Sequence, residues 1–356
     1  MPQHTDIAII WASFAWLSAL LVLRKRLGDQ VTIKLFDERE QFCHIPALHE
    51  AVLAPRSRLR AMQLSLSRRY HKEFIHAQVS KIASNQLQTS DGQTRTFDYA
   101  VIATGSRTNF LQNEKRERIA YAVRYADDIP KINTKLRDSS TKIITVVGGG
   151  YTGVEIASII AQRKRPDQHL RVIHSKHRLF DRLDSSISKQ AITRLKKHHV
   201  EVLLEEKVSD IDTDRVTFVS GKQLPSDMTI ISWGIKLNDE SFSPHLTFTK
   251  NYHAEESEGI YLCGDVASHG LIATAHNAMF EGRRMGQLIA DKVQGVTNSY
   301  PPLKNRDKLA IALGRRDGII TNGHKAVYIP FLLWIAKRVI ERRVLFEFTR
   351  RVMLRV

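Results

Sequence analysis

The chain has 356 residues, 42% hydrophobic and 26% charged, with a net charge of +17. That is enough for two domains and a sizeable core, and the basic balance points to an anionic partner: a phosphate-bearing cofactor, a lipid surface or nucleic acid. Nucleic acid ranks last, because no zinc-type Cys/His spacing, RNA-binding aromatic signature or basic zipper is present. The only cysteines, Cys43 and Cys263, exclude a disulfide framework and a CxxC redox pair. They fit a reducing compartment, and the expected location is cytoplasmic.

The first elements predicted are a strand over residues 6–10, a helical pattern, and a second strand over 31–36 that ends at Asp37. This layout is a βαβ unit of the kind that binds dinucleotides. Such a unit calls for Gly-x-Gly-x-x-Gly, yet the three positions hold Trp11, Ser13 and Trp16. Residues 7–23 are almost uninterruptedly apolar and precede Arg24-Lys25-Arg26, which could be read as a membrane anchor. The run sits at the short limit of ~17–25 residues for a span and merges into the strand–helix–strand pattern, so the βαβ reading is preferred. The opening "MPQHTD" has neither a positive n-region nor a cleavage site after the apolar run, which argues against a cleaved signal peptide.

A third strand over 99–103 enters "ATGS" (Ala103, Thr104, Gly105, Ser106). The charged run at 113–118 looks like a boundary. A strand over 142–147 then leads into Gly148-Gly149-Gly150-Tyr151-Thr152-Gly153, a helix from 154, and a strand over 170–173. Here Gly148, Gly150 and Gly153 satisfy the fingerprint, with strand before and helix after. No carboxylate follows the second strand; His174, Ser175, Lys176, His177 and Arg178 stand there instead. A ribose-binding acid would repel a 2′-phosphate, whereas these residues would accommodate it; the alternative is a solvated basic loop. Asp37 occupies the corresponding place in the first unit, as a ribose ligand or a turn residue. "CGD" (Cys263, Gly264, Asp265) ends a later strand, where Asp265 could hold a cofactor hydroxyl or cap a helix. Strands alternating with helices predict an α/β fold with two Rossmann-like dinucleotide-binding domains.

The order of the first βαβ unit, "ATGS", "GGGYTGVE", "ISWGIK" and "GIYLCGD" resembles the two-dinucleotide-domain flavoproteins, the pyridine nucleotide-disulfide oxidoreductase superfamily. Residues 42–52 ("FCHIPALHEAV"), 171–175 ("RVIHS") and 314–318 ("GRRDG") bring it near the type II NADH dehydrogenases and the ferroptosis-suppressor-like NAD(P)H:quinone oxidoreductases. The resemblance implies an FAD-binding domain of 1–112 and 255–300, an NAD(P)H-binding domain of 113–254 inserted in it, and a C-terminal region of 301–356 with basic amphipathic helices. It implies FAD and NAD(P)H as cofactors, a quinone substrate, and a peripheral membrane location compatible with a homodimer. Trp11, Ser13, Trp16, Asp37, Arg39, Val79, Ala103, Thr104, Gly105, Gly264 and Asp265 are the implied FAD-side residues. Gly148, Gly150, Tyr151, Gly153, Glu155, His174 and Gly234 are the implied nicotinamide-side residues. Glu155, His276 and Glu281 carry the implied catalytic roles, with no metal. The single Cys43 follows Phe42 directly and lacks the spacing of thiol-dependent relatives, and no CxxxxC pair exists.

Two further expectations concern defects and surfaces. Trp11 costs about 1–2 kcal/mol if its turn needs φ > 0, and Trp16, wedged between helix and strand, costs ~1–3 kcal/mol. FAD binding is therefore expected to be impaired, leaving as an alternative a non-catalytic NAD(P)H-binding protein without flavin. The tail holds an apolar core over 326–336, with Trp334 and the basic residues at 337, 338, 342, 343, 350, 351 and 355 expected to meet anionic headgroups.

Overall fold

The computed structural model describes residues 4–110, 113–238, 253–254, 257–267, 272–304, 309–322, 325–328 and 330–350. Two sheets dominate. The first unit is β1 (Thr5–Ile10), α1 (Phe14–Leu27) and β2 (Val31–Asp37), joined in one six-stranded sheet by β3 (Phe74–His76) and β4 (Tyr99–Ile102) and, from far along the chain, by β9 (His253–Ala254) and β10 (Ser257–Leu262). Their order is β9-β10-β4-β1-β2-β3, parallel throughout except at β9. The second unit is β5 (Ile143–Val147), α2 (Tyr151–Ala161) and β6 (His169–Ile173). With β7 (Val200–Leu203) and β8 (Met228–Ile231) it forms a parallel sheet ordered β7-β6-β5-β8. The central strands read as continuous β-branched runs because helices or further strands cover both faces.

α1 is apolar nearly all round, and its packing explains why. One side lies on the first sheet, and the other receives α3 (Ala275–Gln294). Contact there is backbone-close. A Cβ at Gly282 would fall 2.0 Å from the Ala15 carbonyl oxygen, and one at Gly286 would fall 2.8 Å from that of Ala19. Arg24, Lys25 and Arg26 in the last turn offset the helix dipole, and Gly28 takes φ +54° beyond it. The apolar run 7–23 is thus divided between a strand and a 14-residue helix, and no helix among the described residues is long and apolar enough to cross a membrane.

The C-terminal region departs from expectation. Residues 310–312, 318–322 and 325–328 form a small antiparallel sheet, so the start of the expected apolar tail core is strand. A single helix, α4 (Pro330–Arg350), follows among the described residues. Among its described side chains, charged residues are paired inward while several apolar ones stand exposed. Lys337 pairs with Glu155 at 2.9 Å, Arg338 with Glu50 at 3.0 Å, and Glu341 takes both Arg58 Nη atoms at 2.8 and 2.7 Å. Ile335, Val339, Ile340 and Phe346 are exposed. Lys337 and Arg338 therefore do not face headgroups as expected. Their partners lie far back in the chain, and burial of those carboxylates demands a counter-charge. Phe348 is fully buried against Phe42, with ring centroids 5.6 Å apart, and its carbonyl accepts the Tyr70 hydroxyl. Arg351 and Arg355 lie outside the described residues, and the side chains of Trp334 and Arg350 outside the described side chains.

Candidate functional site: two dinucleotide turns

The second turn is built on glycine by necessity. Gly148 leaves β5 at φ +123°, and a Cβ on it would sit 2.3 Å from the Ser232 carbonyl oxygen. A Cβ at Gly153 would sit 1.9 Å from the Gly148 carbonyl oxygen, so α2 packs directly on the turn. Gly150, at the helix N-cap, has nothing within 4 Å of its would-be Cβ, and no side chain caps the helix. The first-turn N–H groups of α2 therefore open onto room for an anion. Gly149 N–H donates to His174 Nδ1 at 3.1 Å. The neutral ring then carries its proton on Nε2, a buried atom with no partner among the described residues. Burial lowers the His174 pKa, which favours that neutral form.

The first turn copies this path with different residues. Trp11 N–H donates to Phe36 O at 2.7 Å, as Gly148 N–H does to Ile173 O at 2.8 Å. Ala12 N–H donates to Asp37 Oδ2 at 2.5 Å, matching Gly149 and His174. Trp11 takes φ +76°, the conformation in which a side chain is strained. Its indole does not point into empty space. The Arg39 guanidinium carbon lies 4.5 Å from the Trp11 ring centroid and 4.4 Å from that of Tyr125, so the cation is held between two aromatic faces. Asp37 also accepts the Arg39 N–H at 2.7 Å, and its side chain is only 3% exposed. Burial raises the Asp37 carboxyl pKa. Ser13 caps α1 without a side-chain cap bond, and its buried Oγ has no partner among the described residues.

Trp16 is fully buried. Rather than prising helix from strand, its indole meets Tyr70 edge to face at 5.4 Å and 83°, beside α1's other apolar neighbours. The Nε1–H finds no acceptor among the described residues, and an unmade bond of this kind costs about 1–3 kcal/mol.

The remaining expected FAD-side residues, Val79 apart, gather at the ends of β4 and β10. Ala103 and Thr104 are buried, and Gly105 (φ +67°) and Gly264 (φ +80°) make the turns. The Ser106 hydroxyl donates to Asp265 Oδ2 at 2.6 Å. Arg124 reaches the Ser106 hydroxyl at 2.8 Å and the Asp265 carboxylate at 3.5 Å. Gly264 N–H donates to Glu281 Oε2 at 2.5 Å, and burial pushes the Glu281 pKa up to about 8. Val79 is buried in a strand against the back of the first sheet.

The three expected catalytic residues sit in different local settings. His276 is exposed near the start of α3, while Glu281 is buried under the Gly264 turn. Five residues apart on a helix, they point about 140° away from each other. Glu155 lies in the first turns of α2, where its Oε1 accepts from Ala312 N–H at 2.8 Å and Lys337 at 2.9 Å. Its Oε2 is 3.6 Å from His49 Nδ1. Burial works to raise this carboxyl, but His49, Lys337 and the Ala312 N–H hold it below the usual range. Gly234 (φ +143°) borders open space, and Tyr151 stacks on Phe180 at 5.7 Å. Burial pushes the Cys43 thiol up to about 12, away from the thiolate form that a redox nucleophile needs.

Sequence reasoning missed Arg124, Tyr125, His49 and Lys337. The first two are fixed locally: Asp128 accepts the N–H groups of both Arg124 and Tyr125, at 2.8 and 2.7 Å.

Residues 5–282 match the pyridine nucleotide-disulphide oxidoreductase family. The chain belongs to that family. Ferroptosis suppressor protein 1 of Taeniopygia guttata is 26% identical over 342 residues, covering 88% of this chain and 87% of that protein. Apoptosis-inducing factor homolog A of Dictyostelium discoideum is 24% identical over 289 residues, covering 69% and 68%. Among solved structures, the sulfide:quinone oxidoreductase of Aquifex aeolicus superposes with a TM-score of 0.81 at 15% identity, covering 99% of this chain and 96% of that one. NDH2 of Plasmodium falciparum in complex with NADH superposes with a TM-score of 0.79 at 13% identity, covering 99% of both. These last two establish the fold.

The family's cofactors are FAD and NAD(P)H. The second turn fits a nicotinamide nucleotide: glycine where backbone leaves no space, an open helix N-terminus, and an unpaired His174 N–H beside it. The first turn does not fit FAD in the same manner. Its first and third glycines are tryptophans, and Asp37 and Asp265 already have partners within the chain.

Proposed function

We propose that the chain is an NAD(P)H:quinone oxidoreductase in design, with a working nicotinamide half and an impaired flavin half. The nicotinamide half is 113–254; the flavin half is 1–112 with 255–300. The overall reaction would be NAD(P)H + H⁺ + quinone → NAD(P)⁺ + hydroquinone. The chain's own part is to hold the nucleotide at Gly148, Gly150 and Gly153, with His174 at its ribose and Glu155 beside its reacting end. The observation that carries this reading is the contrast between the turns: Gly148 at φ +123° before an open cradle, and Trp11 at φ +76° with its indole on Arg39. A quinone acceptor is supported by the shared fold of the sulfide:quinone oxidoreductase of Aquifex aeolicus. A membrane surface is supported by the exposed Ile335, Val339, Ile340 and Phe346 on α4, with Arg342 and Arg343 beside them.

The test is a paired assay. NADPH binding is measured on the purified chain, and quinone reduction is measured with FAD added. The reading expects bound NADPH and slow turnover that rises in Trp11→Gly. Full turnover by the unaltered chain, or no nucleotide binding, would refute it.

A further inference from the structure

Beside the first turn, three of the chain's own side chains, Trp11, Arg39 and Tyr125, stack on one another. Arg39 and Lys176 occupy equivalent places, each two residues beyond the group that accepts the turn's second N–H: Asp37 in one unit, His174 in the other. Lys176 is exposed at the mouth of an open turn. Arg39 is instead drawn inward, with the Trp11 ring on one face and the Tyr125 ring on the other. Tyr125 is not a loose side chain on a loop, because Asp128 pins its backbone N–H and that of Arg124. From the same pinned segment, Arg124 takes up Ser106 and Asp265. Asp37 holds one backbone N–H on each oxygen and is almost wholly covered.

We propose that the Trp11–Arg39–Tyr125 stack takes the place of FAD in the first cleft, so that the chain holds a nicotinamide nucleotide and no flavin. This rests on the assignment of the two halves above and sharpens it: the flavin half is occupied by the protein's own side chains, not merely weakened. A dinucleotide could enter only by expelling Arg39 from between two aromatic rings and uncovering Asp37. The stack has two walls on different segments, and removing either should loosen it. Trp11→Gly removes the indole and restores the turn residue. Tyr125→Ala leaves the turn untouched and opens the other side.

The full-length chain is incubated with excess FAD, passed through gel filtration, and scored for flavin absorbance per chain. NADPH binding is followed in the same samples by nucleotide fluorescence. The expected result is no retained flavin in the unaltered chain. Trp11→Gly and Tyr125→Ala should each bind FAD at least roughly tenfold more tightly, with unchanged NADPH binding. Stoichiometric flavin in the unaltered chain overturns the proposal. So does unchanged FAD affinity in both variants when each still binds NADPH and is therefore folded. Loss of NADPH binding in the unaltered chain would strike the reading of the second turn instead, and the two FAD titrations would still decide the first.

Discussion

The molecule contains the same βαβ unit twice, and the two copies separate what a fold needs from what a ligand needs. Both turns leave the strand with the same backbone hydrogen bond to the neighbouring strand, Trp11 to Phe36 and Gly148 to Ile173. Both then place a second N–H on the group that ends that neighbour, Asp37 or His174. Strand pairing and apolar helix packing survive without glycine. The surroundings of the turn differ: at Gly150 space is free, while at the first turn the Trp11 indole lies against the Arg39 guanidinium. Backbone topology is thus tolerant of the lost glycines.

The largest effects should come from the third glycine position, with opposite chemistry in the two units. Trp16→Ala removes a fully buried indole from its contact with Tyr70 and should cost ~3–5 kcal/mol in urea unfolding. A stability unchanged or raised would mean that Trp16 is strained, not packed. Gly153→Ala forces a Cβ against the Gly148 carbonyl, should cost about 1–3 kcal/mol, and should abolish NADPH binding as helix and turn separate. Intact nucleotide affinity in that variant would contradict the cradle.

Trp11→Gly should act the other way from Trp16→Ala. Relief at φ +76° is worth about 1–2 kcal/mol, and the lost cation–π contact returns about 0.5–1 kcal/mol of that. A small net gain in stability is expected, measured by the same unfolding curves. A marked loss would show that the Arg39 stack, not the turn, governs stability here.

The pH dependence has a definite sign at Glu281. Its folded pKa of about 8 lies above the ordinary carboxyl value of 4.5, so the folded chain binds the extra proton between those values. The contribution is fully present below pH 4.5 and fades as pH rises through 8. Glu281→Gln, which keeps a neutral side chain there, should flatten the fall in stability across that window. An unchanged slope would place the proton elsewhere. The smallest effect concerns the nucleotide: with His174 and Lys176 where an acid would repel a 2′-phosphate, NADPH should bind at least as well as NADH. A preference for NADH of tenfold, ~1.4 kcal/mol, would contradict this.

Much of this is legible in the sequence. The β-branched runs announced β1, β2, β4, β5 and β6 to within a residue or two, and Gly148, Gly150 and Gly153 announced their turn. Trp11 was expected to suffer if the turn required positive φ, and it has φ +76°. What sequence could not supply was partnership at a distance. Nothing near Lys337 reveals that Glu155, 182 residues earlier, will claim it. A basic tail therefore read as headgroup contacts, whereas its buried side chains answer carboxylates of the body. Tyr125 was invisible for the same reason: its role is defined only by Arg39 standing opposite it. Trp16 read as a wedge because its escape route, toward Tyr70, depends on a strand-and-turn region that local pattern does not orient.

The most direct test of the divergence between the two turns is native mass spectrometry of the full-length chain after mixing with FAD and NADPH together. The two ligands differ enough in mass to be counted separately on one protein ion. The account predicts a single added nucleotide, NADPH, and no FAD. A species carrying one FAD, with or without NADPH, would contradict it.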